Sequence, residues 1–114
     1  DFHTCTAPLD EHSGSGEEVA FIDIESDDAG FCSCGLENTK IGLSFNLRFK
    51  KKQLPYLSNW LHYGKGEYTV GLEPGTNPPI GQSRARQQNE LILLAPGEKR
   101  KYELEIEVLT NKLG

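Results

Sequence analysis

The sequence has no long hydrophobic run, and this absence limits where the protein can act. None of its apolar stretches approaches the roughly 20 residues that span a bilayer. The first residues, 1–5, carry neither the basic region nor the apolar stretch typical of a signal peptide. We therefore expect a soluble protein without a membrane partner.

Positive charge is scarce as well. Lysine and arginine total 12 against 17 acidic residues, for a net charge of -5, and the bases cluster only at residues 50–52 and 99–101. Such a balance argues against nucleic acid as a partner. The hydrophobic and charged fractions, 36% and 25%, are ordinary for a globular domain, and 114 residues support one modest core.

Cysteine occurs three times, without any C-x-x-C pair, at Cys5, Cys32 and Cys34. Residues at i and i+2 of a strand are poorly placed to bond each other, so free structural thiols in a reducing, cytoplasmic compartment are the favoured interpretation. The alternative is a metal site that combines cysteine with His3, His12 or His62. No spacing matches a known ligand pattern, so we predict no metal and no cofactor.

Catalytic motifs with a fixed spacing are also missing, since the sequence has no serine nucleophile elbow, P-loop or dinucleotide fingerprint. What it does have is alternation with a period of two residues, which is typical of strands. In residues 40–50 one face collects Ile41, Leu43, Phe45, Leu47 and Phe49. In residues 101–108 the alternation points Tyr102, Leu104, Ile106 and Val108 inward and three glutamates outward, where basic residues of a neighbouring strand could oppose them.

Weaker strands are predicted at about residues 19–25, 31–36, 54–63, 68–73 and 90–94, separated by turn signals. Residues 27–30 and 37–40 are predicted to be hairpin connections, residues 64–66 supply flexible backbone, and Pro96-Gly97 has the order of a type II turn. Seven strands without a helical pattern predict an all-β fold, an antiparallel β-sandwich. Pro55 should make its strand an edge or introduce a bulge. We expect an extended N-terminal arm over residues 1–18 and the sandwich domain over residues 19–114.

Strand phase also suggests a site. Tyr68, Val70 and Leu72 point one way, so Glu73 points to the opposite face, where a proline-rich loop begins. Gly71 removes a side chain from that face. Trp60 and His62 share one face of the preceding strand, and an aromatic ring beside polar groups suits a sugar.

Ordinary structural roles compete with this interpretation. Trp60 could be a core residue, because a single tryptophan in a sandwich is usually buried. His62 could be a surface or hydrogen-bonded histidine, and Glu73 a solvated strand-end carboxylate. Arg84 and Arg86 could clamp an anionic substrate group or simply belong to a solvated loop.

One stretch resembles a known family. The segment Trp60 to Gly81, WLHYGKGEYTVGLEPGTNPPIG, then Arg86 and residues 94–98 and 102–108, is similar to the C-terminal part of galactose mutarotase-like (aldose 1-epimerase-like) proteins, closest to a branch without an assigned function. The resemblance covers the chain from about Glu17 onward, and residues 71–81 are its most specific block.

The resemblance implies part of an antiparallel supersandwich that binds a sugar or sugar derivative. In that family a glutamate takes the proton from the C1 hydroxyl and a histidine protonates the ring oxygen, so that the anomers interconvert. Glu73 is similar to the glutamate by its position in the Leu-Glu-Pro block. Trp60, His62, Asn77 and Arg86 are predicted to bind the substrate.

The family's catalytic histidine lies in an upstream segment that His3 and His12 do not match. The sequence therefore predicts a carbohydrate-binding protein related to aldose 1-epimerases and leaves open whether Glu73 acts as a general base or only binds. A different class of function is a non-catalytic, self-associating β-module whose sugar-like face serves as an interface. A homodimer would close the open sheet edges that part of a supersandwich leaves.

Overall fold

The computed structural model describes residues 16–64 and 66–110, which form six strands and one short helix. The elements, in chain order, are β1 (Gly16–Ile22), β2 (Phe31–Asn38), β3 (Leu43–Lys50), β4 (Tyr56–Gly64), β5 (Glu67–Gly75), α1 (Gln82–Gln87) and β6 (Leu104–Thr110). Every strand pairing is antiparallel, in sheets of order β1-β4-β5 and β2-β3-β6, here called sheet A and sheet B. The predicted all-β sandwich is confirmed.

The core lies between the two sheets. Phe49 and Cys32, which are fully buried and directly paired in sheet B, pack with Leu47 against Leu57 of β4. Ile22 of β1 and Leu72 of β5 contribute from the flanks of sheet A. Alternation explains this arrangement, because each strand offers one apolar face at every second residue.

Local turns hold the strands in register. The Asn38 Oδ1 atom accepts hydrogen bonds from the backbone N–H groups of Lys40 (3.0 Å) and Ile41 (3.3 Å), which closes the β2-β3 hairpin where residues 37–40 predict one. β4, which ends at Gly64, likewise pairs with β5, which begins at Glu67. At Pro96-Gly97 the φ of Gly97 is 80° and Glu98 N–H donates to Ala95 O, which confirms the predicted type II turn.

Three predictions about elements are wrong. Residues 90–94 form no strand, and residues 82–87 form a short helix that the sequence pattern does not indicate. Ala85 is the one buried residue of this helix. The helix therefore lacks the repeating apolar positions by which a helix is predicted from sequence. Residues 27–30 form a turn, but β1 and β2 belong to different sheets, so the turn is not a hairpin.

Pro55 does not act as predicted either. β4 begins at Tyr56, directly after the proline, and is the central strand of sheet A. Proline at the position before a strand removes no ladder hydrogen bond, so neither an edge strand nor a bulge is needed.

The C-terminal strand confirms one expectation and contradicts another. Two of the glutamates predicted to point outward meet basic residues of β3: Lys50 Nζ is 3.2 Å from Oε2 of Glu103, which directly precedes β6, and Arg48 Nη1 is 3.8 Å from Glu105 Oε2. The predicted burial of the opposite face is wrong. The exposed fractions are 41%, 51%, 64% and 64% for Tyr102, Leu104, Ile106 and Val108.

The reason for this exposure is the extent of the opposing sheet. β6 extends sheet B beyond β3, and no strand of the described residues lies over it, although Ile106 and Val108 share the core face with their partners Leu47 and Phe45. Ile41 is also 60% exposed, because β3 begins only at Leu43 and Ile41 belongs to the preceding turn.

The predicted arm, residues 1–18, lies outside the described residues except for 16–18, which belong to β1. Within the described part of the chain, no helix is long and apolar enough to cross a membrane.

Candidate functional site

The candidate site lies on the face of sheet A that points away from sheet B, here called the open face. Alternation places on it one set of side chains from each strand: Glu17, Val19 and Phe21 of β1, Ser58, Trp60 and His62 of β4, and Glu67, Thr69 and Glu73 of β5. Three of the five predicted site residues, Trp60, His62 and Glu73, therefore share one surface.

Glu73 does not extend straight from the end of its strand. A Cβ atom added at Gly71 would lie 2.7 Å from Glu73 Oε1 and 3.2 Å from its carboxyl carbon, so the carboxylate folds back over the glycine. Gly71 pairs directly with Trp60 of the neighbouring strand. The absence of a side chain at Gly71 thus leaves room for the carboxylate on the β5 side of Trp60.

Trp60 is half-buried on the open face and is not part of the core. Its indole Nε1–H donates a hydrogen bond of 2.9 Å to Glu17 Oε1, which holds the edge of the ring against β1. His62 stacks on it, with ring centroids 5.7 Å apart and an interplanar angle of 18°. One face of the indole therefore lies against the imidazole.

His62 lies diagonally across the strands from Gly71, and such neighbours are about 7–8 Å apart. Its Nε2 atom is 3.5 Å from Glu67 Oε2, an ion pair when the imidazole is protonated. Glu67 belongs to the hairpin end of β5, whereas Glu73 lies near the opposite end. The imidazole nitrogen that forms this pair is thus directed away from the Glu73 carboxylate.

The other two predicted residues lie apart from this cluster. Asn77 Nδ2 donates to the backbone oxygen of Glu90 at 2.6 Å, and its Oδ1 accepts from Thr76 Oγ1 at 2.8 Å, so Asn77 ties the proline-rich loop to the segment after α1. Arg86 is exposed on α1. No ion pair joins it to Glu73 within residues 16–64 and 66–110.

Sequence reasoning missed the contribution of β1. Glu17 falls in the predicted arm, but β1 begins at Gly16, and Val19 pairs with Trp60 while Phe21 pairs with Ser58. The sequence signal for this strand was the apolar run 19–22. The pairing of β1 with β4 was not readable from that pattern.

Thiols and metal ligands contribute little to this site. Cys32 and Cys34 are free cysteines on the core face of β2, and burial raises the pKa of both thiols, as expected for structural cysteines. Cys5, His3 and His12 lie outside the described residues. In the described segments, no group of three or more His, Cys, Asp or Glu residues could hold a metal ion.

Comparison with curated proteins finds no match, and comparison with solved structures finds none. A family model described as Domain of unknown function (DUF4432) matches residues 1–108. This match spans all the described elements up to the middle of β6, including the whole open face. The chain therefore belongs to the DUF4432 family.

Proposed function

We propose that the open face of sheet A binds carbohydrate. Trp60 supplies an aromatic surface for the C–H face of a sugar ring, and the Glu73 carboxylate accepts hydrogen bonds from sugar hydroxyls. The resemblance of residues 60–81 to mutarotase-like proteins supports the same ligand class.

A single observation carries this proposal, namely the return of the Glu73 side chain over Gly71 to a position beside Trp60. Glu73 is exposed, yet its carboxylate turns back over the glycine instead of extending from the end of the strand. Here the glycine leaves room for the carboxylate next to a half-buried ring whose own N–H is already bonded to Glu17. An aromatic plane and an adjacent acceptor are the two elements that a sugar requires of a shallow site.

The arrangement favours binding over interconversion of anomers. A general base needs a matching acid across the sugar, and His62 is the one histidine within the described residues. Its stacking on Trp60 and its pairing with Glu67 direct it away from Glu73. We therefore assign Glu73 a binding role in the first place, and the role of general base becomes a separate test.

Titration of the protein with a panel of aldoses and methyl glycosides, followed by Trp60 fluorescence, tests the binding proposal directly. Trp60 is the only tryptophan, so any change reports on this site. Glu73→Gln should weaken binding about 10-fold or more, because a hydrogen bond to a charged group is worth about 1.5–3 kcal/mol. Glu107→Gln makes the same charge change on an exposed carboxylate of β6 and should leave the affinity unchanged.

Two outcomes would contradict the proposal. One is the absence of any response to the whole panel, and the other is equal weakening by Glu73→Gln and Glu107→Gln. Polarimetry of freshly dissolved sugars on the same samples measures anomer exchange. Acceleration that Glu73→Gln abolishes would identify Glu73 as a general base in addition to a binding group.

A second candidate function, self-association, is favoured by a different observation. The described residues expose an apolar set that monomeric proteins rarely leave uncovered: Ile41, Leu43, Leu104, Ile106 and Val108 at the outer part of sheet B, with Val19 and Phe21 on the open face. A second copy packed against either surface would remove these side chains from water, which agrees with the homodimer expected from the sequence.

Light scattering across a range of concentrations distinguishes this candidate. Self-association through sheet B predicts a concentration-dependent rise in mass that Ile106→Glu abolishes. Glu105→Gln, on the opposite face of the same strand, should leave the mass unchanged. A monomer at the highest concentration, with a well-dispersed spectrum, excludes this function.

A further inference from the structure

A cavity of about 300 Å³ opens on the sheet A side of the molecule, next to the candidate sugar site. Its walls are mostly apolar and include Phe21, Tyr56, Pro78 and Pro79, while Ser58 and Asp23 contribute polar groups. No residue of this cavity belongs to the site predicted from the sequence. It lies where β1 ends and β4 begins, and the loop after β5 forms one of its walls.

Strand register joins the cavity to Glu73. Phe21 pairs with Ser58, and Ser58 pairs with Glu73, so the three side chains form one row across the three strands of sheet A. Side chains directly opposite each other in antiparallel strands have Cβ atoms about 4.5–5.5 Å apart. The row therefore spans about 10 Å between the Cβ positions of Phe21 and Glu73. From the end of this row the Glu73 carboxylate turns toward Gly71, so one ligand of two parts can reach from the cavity to the carboxylate.

The walls suit an apolar group better than a second sugar. Pro78 and Pro79 have no backbone N–H to offer to a hydroxyl, and their rings hold the loop in a narrow range of φ. Asp23, the charged residue of the lining, is 96% exposed and already pairs with Lys51 at 3.2 Å. Phe21 is 65% exposed, which leaves a large apolar surface for a ligand to cover.

We propose that the protein recognises a glycoside with a small apolar aglycone, whose sugar lies against Trp60 and Glu73 and whose aglycone fills the cavity beside Phe21. This inference rests on the proposed carbohydrate-binding function and adds the substrate class to it. The cavity volume is at the lower end of the range of about 300–1,000 Å³ for ligand pockets, so it accommodates one aryl ring or a short branched chain.

A glycoside has no free C1 hydroxyl, so a ligand of this class is bound and not converted between anomers. This agrees with the direction of His62, which is turned toward Glu67 and away from Glu73. The chemistry at the open face and the shape of the cavity thus favour the same kind of ligand.

The experiment compares methyl and phenyl glycosides of glucose, galactose and mannose, in both anomers, by calorimetric titration. The phenyl glycoside of the preferred sugar should bind about 10-fold or more tightly than its methyl counterpart, since a few buried carbons account for a factor of this size. Phe21→Ala should reduce this ratio to less than about 3-fold. Pro79→Ala, in the loop wall, should lower the ratio in the same direction.

Tyr102→Ala is the matched control, because it truncates an exposed aromatic residue outside sheet A. It should leave the ratio of phenyl to methyl affinity unchanged. Circular dichroism of each variant establishes that it is folded, which the exposure of Phe21 leads us to expect.

The outcomes separate the inference from the function on which it rests. Equal affinity for methyl and phenyl glycosides overturns the aglycone cavity but leaves carbohydrate binding intact. Binding of phenol as tightly as of the phenyl glycosides also overturns it, because the sugar would then contribute nothing. If no sugar or glycoside binds, the proposed function itself fails.

Discussion

Two glycines in edge strands should respond in opposite ways to the same substitution. A Cβ at Gly71 would meet Glu73 Oε1 at 2.7 Å, and a Cβ at Gly35 would meet the backbone oxygen of Phe45 and, at 2.6 Å, Asn46 Oδ1. Both contacts are too close for a methyl group. At Gly71 the obstacle is the end of a flexible side chain, whereas at Gly35 part of the obstacle is the backbone of a paired strand.

The magnitudes follow from this difference. Replacing glycine by alanine restricts the unfolded chain and stabilises a protein by about 0.4–1 kcal/mol where the native conformation accepts it. Gly71→Ala should retain this gain, because Glu73 can rotate away. Gly35→Ala should lose it to overpacking that costs about 1–3 kcal/mol, for a net loss of about 1–2 kcal/mol in the free energy of unfolding.

Urea denaturation of the two variants measures these changes, and thermal unfolding should show Gly35→Ala lower by roughly 4 °C or more. Gly71→Ala carries a second readout, because displacing the Glu73 carboxylate should weaken sugar binding as much as Glu73→Gln does. Destabilisation of Gly71→Ala equal to that of Gly35→Ala would refute the reasoning. Unchanged sugar affinity in Gly71→Ala would also refute it, because the position of the Glu73 carboxylate over Gly71 would then not be needed for binding.

Three further predictions concern the fold. Phe49→Ala should lower the free energy of unfolding by about 3–5 kcal/mol in urea titration, because Phe49 is fully buried; a loss below about 1 kcal/mol would contradict its place in the core. The backbone N–H groups of Phe31, which has the largest effect, and Ala29 donate hydrogen bonds to the Asp27 carboxylate and lower its pKa. The stability that Asp27 adds to the fold is therefore present above its ordinary pKa of 3.8 and is lost as the pH falls through the lowered pKa. The difference in stability between the protein and Asp27→Asn should therefore shrink in acid, and a constant difference down to pH 2 would count against this assignment. Burial raises the pKa of the Cys32 and Cys34 thiols, which keeps them protonated and unreactive in the folded protein. Peptide mapping should therefore detect their alkylation by iodoacetamide only after unfolding, whereas an exposed cysteine with a pKa of about 8.5 reacts without unfolding.

Much of the fold could be predicted from local pattern. The alternation in residues 40–50 placed Leu47 and Phe49 in the core, and Pro96-Gly97 predicted a type II turn that the structure contains. These features depend on neighbours within a few residues, which is the range over which side-chain direction and turn chemistry act.

Local pattern failed where burial depends on distant elements. Residues 90–94 look like a strand because they are apolar, yet no strand pairs with them among residues 16–64 and 66–110. Ile106 and Val108 alternate as core residues do, but the opposing sheet does not reach them. An apolar face predicts burial only if another layer covers it, and a single strand does not specify that layer.

The candidate site divides in the same way. Alternation along β5 is enough to predict that Glu73 points away from Tyr68, Val70 and Leu72, because the backbone sets the direction of successive side chains in a strand. Alternation along β4 likewise predicts that Trp60 and His62 share one face of that strand. Both facts follow from a period of two residues.

The contacts of these side chains depend on how the strands pair. The pairing of Trp60 with Gly71 places the Glu73 carboxylate on the β5 side of Trp60, and the pairing of β1 with β4 adds Glu17 and the cavity beside Phe21. Register between strands depends on packing and on turns that are remote from each strand, so it cannot be read from one strand's alternation. The direction of Glu73 is therefore a property of the sequence, and its neighbours are a property of the fold.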